Sequence, residues 1–103
     1  MDLSEKIYQK LLEVPSGKVT TYADLAQACE TRGYRAVGQI LKNNPFAPEV
    51  PCHRVVRSDG GIGGFMGQRA GKEVEKKIGL LREEGVEVRG MKVDLDKFGF
   101  RFG

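Results

Sequence analysis

A single glycine, Gly33, separates two short amphipathic segments, so the chain must turn sharply between two helices. The segment before it, TYADLAQAC, predicts a helix with Thr21 as its N-cap and Asp24 at the capping-box position. The segment after it, RAVGQILKNN, predicts a helix that ends before Pro45, because the residue before a proline avoids helical geometry. The two inner faces carry Leu25, Ala26, Cys29, Val37, Ile40 and Leu41. Two short helices around a tight glycine turn are the outline of a helix-turn-helix.

Two more helices are predicted on either side of this pair. Apolar spacing over residues 4–13 predicts an N-terminal helix with Ser4 as its N-cap. Residues 71–84 predict a helix that stops at Gly85. The tail after it reads as extended, and its alternating aromatic residues are expected to cover an edge of the core: Phe98, Phe100 and Phe102.

A glycine-rich stretch, RVVRSDGGIGGF, predicts a β-ribbon. Val55 and Val56 form one arm, residues 58–61 the turn, and Ile62 and Phe65 the returning arm. A ribbon that follows a helix-turn-helix occupies the position of a wing. The predicted fold is therefore mainly helical (α+β), a winged helix-turn-helix-like core with a short β-ribbon wing.

Composition excludes several classes of protein. The chain has 103 residues, 40% hydrophobic and 30% charged, which suits one globular domain. The N-terminus is acidic from its second residue, unlike a signal peptide, and no apolar run approaches the roughly 18 residues of a membrane span. We therefore expect an intracellular monomer, in the cytoplasm beside the nucleoid or in a nucleus, without a membrane partner. The formal charge of +3 suits a polyanion but is a weak signal by itself.

The chain's single histidine, His53, directly follows Cys52, one of its two cysteines. On an extended segment the two side chains would point to opposite faces, so a bridging water or a kinked backbone would have to connect them. An imidazole near a thiol lowers the thiol pKa and increases its reactivity. The alternative is a buried structural cysteine beside a histidine that bonds a carbonyl. Two cysteines and one histidine also fall short of a zinc site.

The motif PCHRV, residues 51–55, resembles the active-site motif of the O6-alkylguanine-DNA alkyltransferases, which repair DNA by direct reversal. Three other blocks, GKVTTYADLA, RAVGQILKNNP and LLREEG, resemble that family's segments in the same order. The resemblance covers about three-quarters of the chain, from Ile7 to Gly85. It implies one catalytic and DNA-binding domain over residues 1–103, without the family's N-terminal ribonuclease-like domain.

The resemblance implies a single-use reaction. Cys52 would accept the alkyl group, and no cofactor is needed because the nucleophile is consumed. His53 would act as a water-mediated base, and Glu84 would orient its imidazole, with Glu83 as the fallback for that alignment. Asn44 would shape the active-site turn.

The resemblance also implies contacts with double-stranded DNA that contains O6-alkylguanine, through the minor groove. Tyr22 would contact the guanine edge and a rotated phosphate, and Arg35 would fill the gap left by the extruded base. The carbonyl of Val55 would line the base pocket. Small residues on the recognition helix, Ala36 and Gly38, would allow close approach, although helix packing explains them equally well. The family's serine is replaced by Met66, which offers guanine O6 only its backbone N–H.

Two rival functions stay open at this point. Alkyltransferase-like proteins bind alkylated guanine without transfer and recruit excision-repair proteins, but they carry another residue, commonly tryptophan, in place of the cysteine. A winged-helix regulator would bind a specific duplex sequence and hold Cys52 as a structural residue. A cysteine hydrolase is poorly supported, because no oxyanion hole is visible in the sequence.

Overall fold

The computed structural model describes residues 2–64 and 71–102 of the chain. Its elements, in chain order, are α1 (Leu3–Leu11), β1 (Thr20–Thr21), α2 (Tyr22–Ala28), α3 (Tyr34–Lys42), a 3-10 turn (Cys52–Arg54), β2 (Val55–Val56), α4 (Lys72–Glu83) and α5 (Leu95–Phe98). The mainly helical α+β class is confirmed, with α2 and α3 packed together across Gly33. No helix in the described ranges is both long and apolar enough to cross a membrane.

The helix boundaries follow local capping chemistry. The Thr21 hydroxyl accepts a hydrogen bond of 3.0 Å from the Asp24 N–H, which confirms the predicted cap of α2. The predicted cap of α1 at Ser4 is wrong, because the Asp2 carboxylate accepts from the Glu5 N–H at 2.9 Å and the helix already begins at Leu3.

The predicted β-ribbon wing is wrong in the partner that it gave to Val55 and Val56. Val55 and Val56 pair in parallel with Thr20 and Thr21, not with a returning arm. Both valines are completely buried, and a strand covered on both faces suits an interior parallel pair better than an exposed ribbon. A tight turn does follow at 57–61, but Ile62 then donates its N–H to the tail. Phe65 lies outside the described residues.

The helix-turn-helix and the tail enclose two adjoining hydrophobic clusters. One lies among α1, α2 and α3 and includes Cys52 and Val55. The other lies between β2, α4 and the tail and includes Val56 and Leu81. The Cys52–Arg54 turn, which we call the cysteine turn, leads into β2, whose Val55 lies in the first cluster and Val56 in the second.

The tail is only partly extended. Leu95–Phe98 forms the short helix α5, contrary to the expectation, because the Asp94 carboxylate caps it by accepting the Asp96 N–H at 3.0 Å. Phe98 is buried and Phe100 and Phe102 pack against the first cluster, so the expected cover over the core is confirmed.

Candidate active site

Cys52 lies on a helical turn and not on the extended segment expected from the sequence. The Arg54 N–H donates to the Pro51 carbonyl at 2.9 Å and closes this turn. Asn44 braces the preceding loop: its amide donates to the Val50 carbonyl at 2.9 Å and its oxygen accepts the Phe46 N–H at 2.9 Å. Asn44 is almost fully buried, so these bonds hold the loop that presents the thiol.

The thiol of Cys52 is buried, with 5% of the residue exposed. Burial raises the pKa of Cys52 above its usual value, while the Asn44 amide and the charge of Lys77 act in the opposite direction. The sequence expectation of a lowered thiol pKa is therefore wrong for this geometry. A protonated thiol becomes a nucleophile only when a base removes its proton.

A suitable base adjoins the thiol in sequence. His53 is 2% exposed, and its Nε2 lies 3.0 Å from Oε2 of Glu84. Burial lowers the pKa of His53, although the Glu84 carboxylate acts against that shift, so the imidazole is neutral at pH 7. A neutral ring that donates from Nε2 carries its lone pair on Nδ1. That nitrogen is buried and, within the described residues, has no hydrogen-bond partner.

The carboxylate that holds His53 is itself fixed by Arg54. The guanidinium donates to both oxygens of Glu84, from Nε to Oε1 at 2.8 Å and from Nη2 to Oε2 at 2.6 Å, and to the Val14 carbonyl at 2.8 Å. Burial raises the pKa of Glu84, but the bonds from Arg54 and His53 outweigh it and hold the pKa below its usual value. Glu83 is exposed, so Glu84 is the residue that the fold brings to the imidazole.

Arg54 was missed at the sequence level, although it stands beside His53 in the cysteine motif. Its position directly after His53 in the motif indicated that it belongs to the site. Its partner, however, lies 30 positions away in the chain, and no local pattern connects the two.

Lys77 was also missed, and it is completely buried. Its ammonium donates to the carbonyls of Val55 at 2.7 Å, Ile62 at 2.6 Å and Gly64 at 3.2 Å. Burial lowers the pKa of Lys77 to about 7, and the nearby Cys52 charge raises it. The sequence feature that could have found Lys77 is its helical spacing, because it shares the inward face of α4 with Val74 and Leu81.

The Val55 carbonyl, expected to line a base pocket, is thus bonded by Lys77. A carbonyl oxygen has two lone pairs, and the Lys77 bond by itself uses only one of them.

Three other predicted residues lie around one open cavity of about 600 Å³, which we call the α3 cavity. Its lining residues are Tyr22, Ala23, Arg35, Gly38, Arg57, Ser58 and Asp59. Burial raises the pKa of Tyr22 and the charge of Cys52 raises it further, so the thiol lies within electrostatic range of the cavity wall. A methyl group at Gly38 would meet no atom of the described residues within 4 Å, so packing among them does not require this glycine.

Two predicted residues do not join this group. Ala36 is not among the lining residues of the α3 cavity; its methyl group faces the turn at Gly33, 3.2 Å from where a Cβ would lie there. Met66 lies outside the described residues.

The chain thus combines a helix-turn-helix with a buried cysteine, a neutral histidine and a carboxylate that is fixed by an arginine. These features define a class of small helical domain with a candidate thiol nucleophile. Residues 2–86 match the family described as 6-O-methylguanine DNA methyltransferase, DNA binding domain, and the chain belongs to this family.

Curated relatives agree with this assignment. A bifunctional methyltransferase/endonuclease of Picrophilus torridus is 36% identical over 101 residues, covering 97% of this chain and 32% of that protein. A methylated-DNA–protein-cysteine methyltransferase of Methanosarcina barkeri is 40% identical over 86 residues, covering 82% of this chain and 52% of that protein. The chain thus spans a third to a half of the length of these relatives.

Solved structures are similar over most of the chain. Atl1 of S. pombe, crystallised with damaged DNA containing O6-carboxymethylguanine, superposes with a TM-score of 0.84 at 29% identity, covering 97% of this chain and 95% of Atl1. The O6-methylguanine-DNA methyltransferase of Pyrococcus kodakaraensis gives a TM-score of 0.72 at 44% identity, covering 84% of this chain and 47% of that one.

Proposed function

We propose that this protein repairs DNA by moving the alkyl group of O6-alkylguanine onto the sulfur of Cys52, once per molecule. The observation that carries the proposal is the buried Nδ1 of His53, which has no hydrogen-bond partner among the described residues, on a neutral ring whose other nitrogen is held by Glu84. An imidazole in this state can accept a proton on Nδ1 and so act as a base. Relatives named methylated-DNA–protein-cysteine methyltransferase support the same reaction.

The proposed step is one displacement. The Cys52 proton passes to Nδ1 of His53 through one water molecule, and the resulting imidazolium is stabilised by the Glu84 carboxylate. The thiolate attacks the alkyl carbon, so a sulfur–carbon bond forms as the carbon–O6 bond breaks. The electron pair of the broken bond stays on guanine, the His53 imidazolium gives its proton to the base, and unmodified guanine remains in the DNA. The thioether is stable, and the nucleophile is spent.

The buried Lys77 contributes to this chemistry by positioning segments near Cys52 and by its charge. Its three hydrogen bonds join β2 to residues 62–64, so it fixes the relative position of two segments beside Cys52. In its charged form it also stabilises the thiolate, as its opposing effect on the Cys52 pKa indicates.

The proposed partner is duplex DNA that contains O6-alkylguanine, approached through the minor groove. Support comes from the α3 cavity, where Tyr22, the exposed Arg35 and the open backbone of Gly38 lie together. A guanidinium can replace part of the stacking lost when a base is extruded. Cys52 is buried, and its charge acts on Tyr22 of the cavity wall, so the proposal takes the substituent to the sulfur from the side of the α3 cavity.

A second candidate is lesion binding without transfer, followed by recruitment of excision-repair proteins. It is favoured by the similarity to Atl1, which extends over nearly the whole of both chains. The presence of Cys52 in the site just described favours transfer. A sequence-specific regulator is the third alternative, and it predicts a preference for one duplex sequence that the other two lack.

The deciding experiment uses the other cysteine as its control. Burial also raises the pKa of Cys29, but Cys29 lies in the core without a histidine beside it. After incubation with an oligonucleotide containing O6-methylguanine, intact-mass and peptide analysis should find one methyl group on Cys52. Cys29→Ser should be methylated equally, and Cys52→Ser should bind the oligonucleotide unmodified. Tight binding by the wild type without methylation would assign the protein to the second candidate.

A further inference from the structure

The tail forms a hairpin beyond the 2–86 range that matches the family. We call residues 89–92 the tail hairpin. The Arg89 N–H donates to the Lys92 carbonyl at 2.9 Å and the Lys92 N–H donates back at 3.0 Å. Gly90 and Met91 both have positive φ, at 56° and 62°. Two successive residues at positive φ produce a tight turn of the type that joins antiparallel strands, so the tip of the hairpin has a defined direction.

Hydrogen bonds fix the tail hairpin beside the turn that follows β2. The Ile62 N–H donates to the Met91 carbonyl at 2.9 Å, and the Val93 N–H donates to the Gly60 carbonyl at 2.9 Å. A Cβ at Gly60 would lie 2.4 Å from the Val93 carbonyl oxygen, so only glycine allows this approach. The hairpin is therefore held against the turn as one unit.

This placement extends the α3 cavity. A second cavity of about 560 Å³ has the tail hairpin as one wall. It shares Tyr22, Arg57 and Asp59 with the α3 cavity, so the two form one continuous surface from α3 to the hairpin. Gly63 and Gly64 also line it, and these half-buried glycines present backbone without side chains.

The chemistry of the hairpin wall suits a sugar–phosphate strand. Lys92 is exposed, and within the described ranges its ammonium has no ion-pair partner. Asp59, which also lines the cavity, accepts the Gly61 N–H at 2.8 Å and lies 3.9 Å from Arg57, and the charge of Lys92 acts on it without a direct ion pair in the described ranges. Met91 is 51% exposed and offers an apolar surface next to Lys92 in the chain. Phosphate contacts from lysine position a protein on DNA without reading its sequence.

We propose that the tail hairpin is a second DNA-contacting element, in which Lys92 binds a phosphate of the strand that continues from the α3 cavity and Met91 packs against the adjoining sugar. This proposal rests on the proposed function, since it takes DNA as the partner. We take DNA as the occupant of the second cavity because this cavity is continuous with the α3 cavity. Tyr22 and Arg57 line both cavities, so a strand bound along them runs on toward the hairpin.

The test is the salt dependence of binding to an unmodified duplex, which needs no alkyl transfer. Each phosphate contact adds about 0.9 to the slope of log affinity against log salt. Lys92→Gln should lower the slope by about one, so the wild type should lose about threefold more affinity than the variant between roughly 50 and 200 mM salt. Lys92→Arg should keep the wild-type slope. The exposed helix residue Lys76, changed to glutamine, provides the matched control and should also leave it unchanged.

An unchanged slope in Lys92→Gln, or an equal drop in Lys76→Gln, would overturn the hairpin contact and leave the methyl-transfer result intact. Failure of the wild type to bind any duplex would overturn the proposed function together with this contact. Thermal unfolding of each variant separates both outcomes from loss of fold.

Discussion

The His53 imidazole and the Glu84 carboxylate meet at 3.0 Å although 31 positions separate them in the chain. The histidine comes from the cysteine turn and the carboxylate from the C-terminal cap of α4. Their contact joins two parts of the fold, and the far nitrogen of the ring is buried without a hydrogen-bond partner in residues 2–64 and 71–102. The proposed chemistry depends on this pair.

Glu84→Gln should slow methyl transfer about a hundredfold, since the amide keeps a hydrogen-bonding group but no longer stabilises a charged imidazole. The carboxylate raises the pKa of His53. Without it, the fall in rate on acidification should move to lower pH, which a merely structural role would not produce. Single-turnover rates measured across pH provide both readouts. Glu83→Gln, at the exposed neighbour, should behave as wild type; equal effects of the two changes would contradict the orienting role.

Lys77→Met should alter how stability depends on pH. The pKa of Lys77 is about 7 in the folded protein and ordinarily 10.5. Between these values the unfolded chain binds more protons, so wild-type stability rises relative to the variant as pH increases from 7 to about 9. Urea unfolding of both proteins at the two pH values measures the difference. For Lys76→Met, at an exposed position, the difference in stability from the wild type should be the same at both pH values. The same result for Lys77→Met would mean that the pKa of Lys77 is not lowered.

Arg35→Ala should weaken repair of duplex DNA more than reaction with the free modified base. Stacking of a base on a flat side chain contributes about 1–3 kcal/mol, so loss of a guanidinium that stacks in place of an extruded base should lower the rate or affinity by about 5- to 150-fold. The free base needs no extrusion and should react at the wild-type rate. Parallel transfer assays on the two substrates compare them directly, and equal losses would count against a role in base extrusion.

Gly38→Ala should separate stability from binding. Glycine inside a helix costs about 0.5–1 kcal/mol relative to alanine, so the variant should be more stable by that amount. Its new methyl group would project into the α3 cavity and hold DNA away, and the affinity for duplex should fall. Gly79 lies on α4, and a methyl group there would also meet no described atom within 4 Å, so Gly79→Ala should gain the same stability and keep its affinity. Unchanged DNA affinity in Gly38→Ala would remove α3 from the interface.

The helices were predictable because their causes are local. The hydroxyl of Thr21 and the periodic apolar residues of α2 act within a few positions of each other, and the same is true of α3. His53 was also visible as the neighbour of Cys52 in the chain, whereas Asn44 was singled out through the family resemblance. These features depend on side-chain chemistry at short range.

Tertiary structure decided the rest, because those contacts join distant segments. Val55 pairs with Thr20 and not with the nearby return arm, since burial of both faces outweighs the short loop of a ribbon. Arg54 finds Glu84 only when α4 docks against the cysteine turn. Lys77 becomes a buried cation because three carbonyls from other segments converge on its ammonium. Long-range burial and hydrogen bonding set these partners, and no local pattern encodes them.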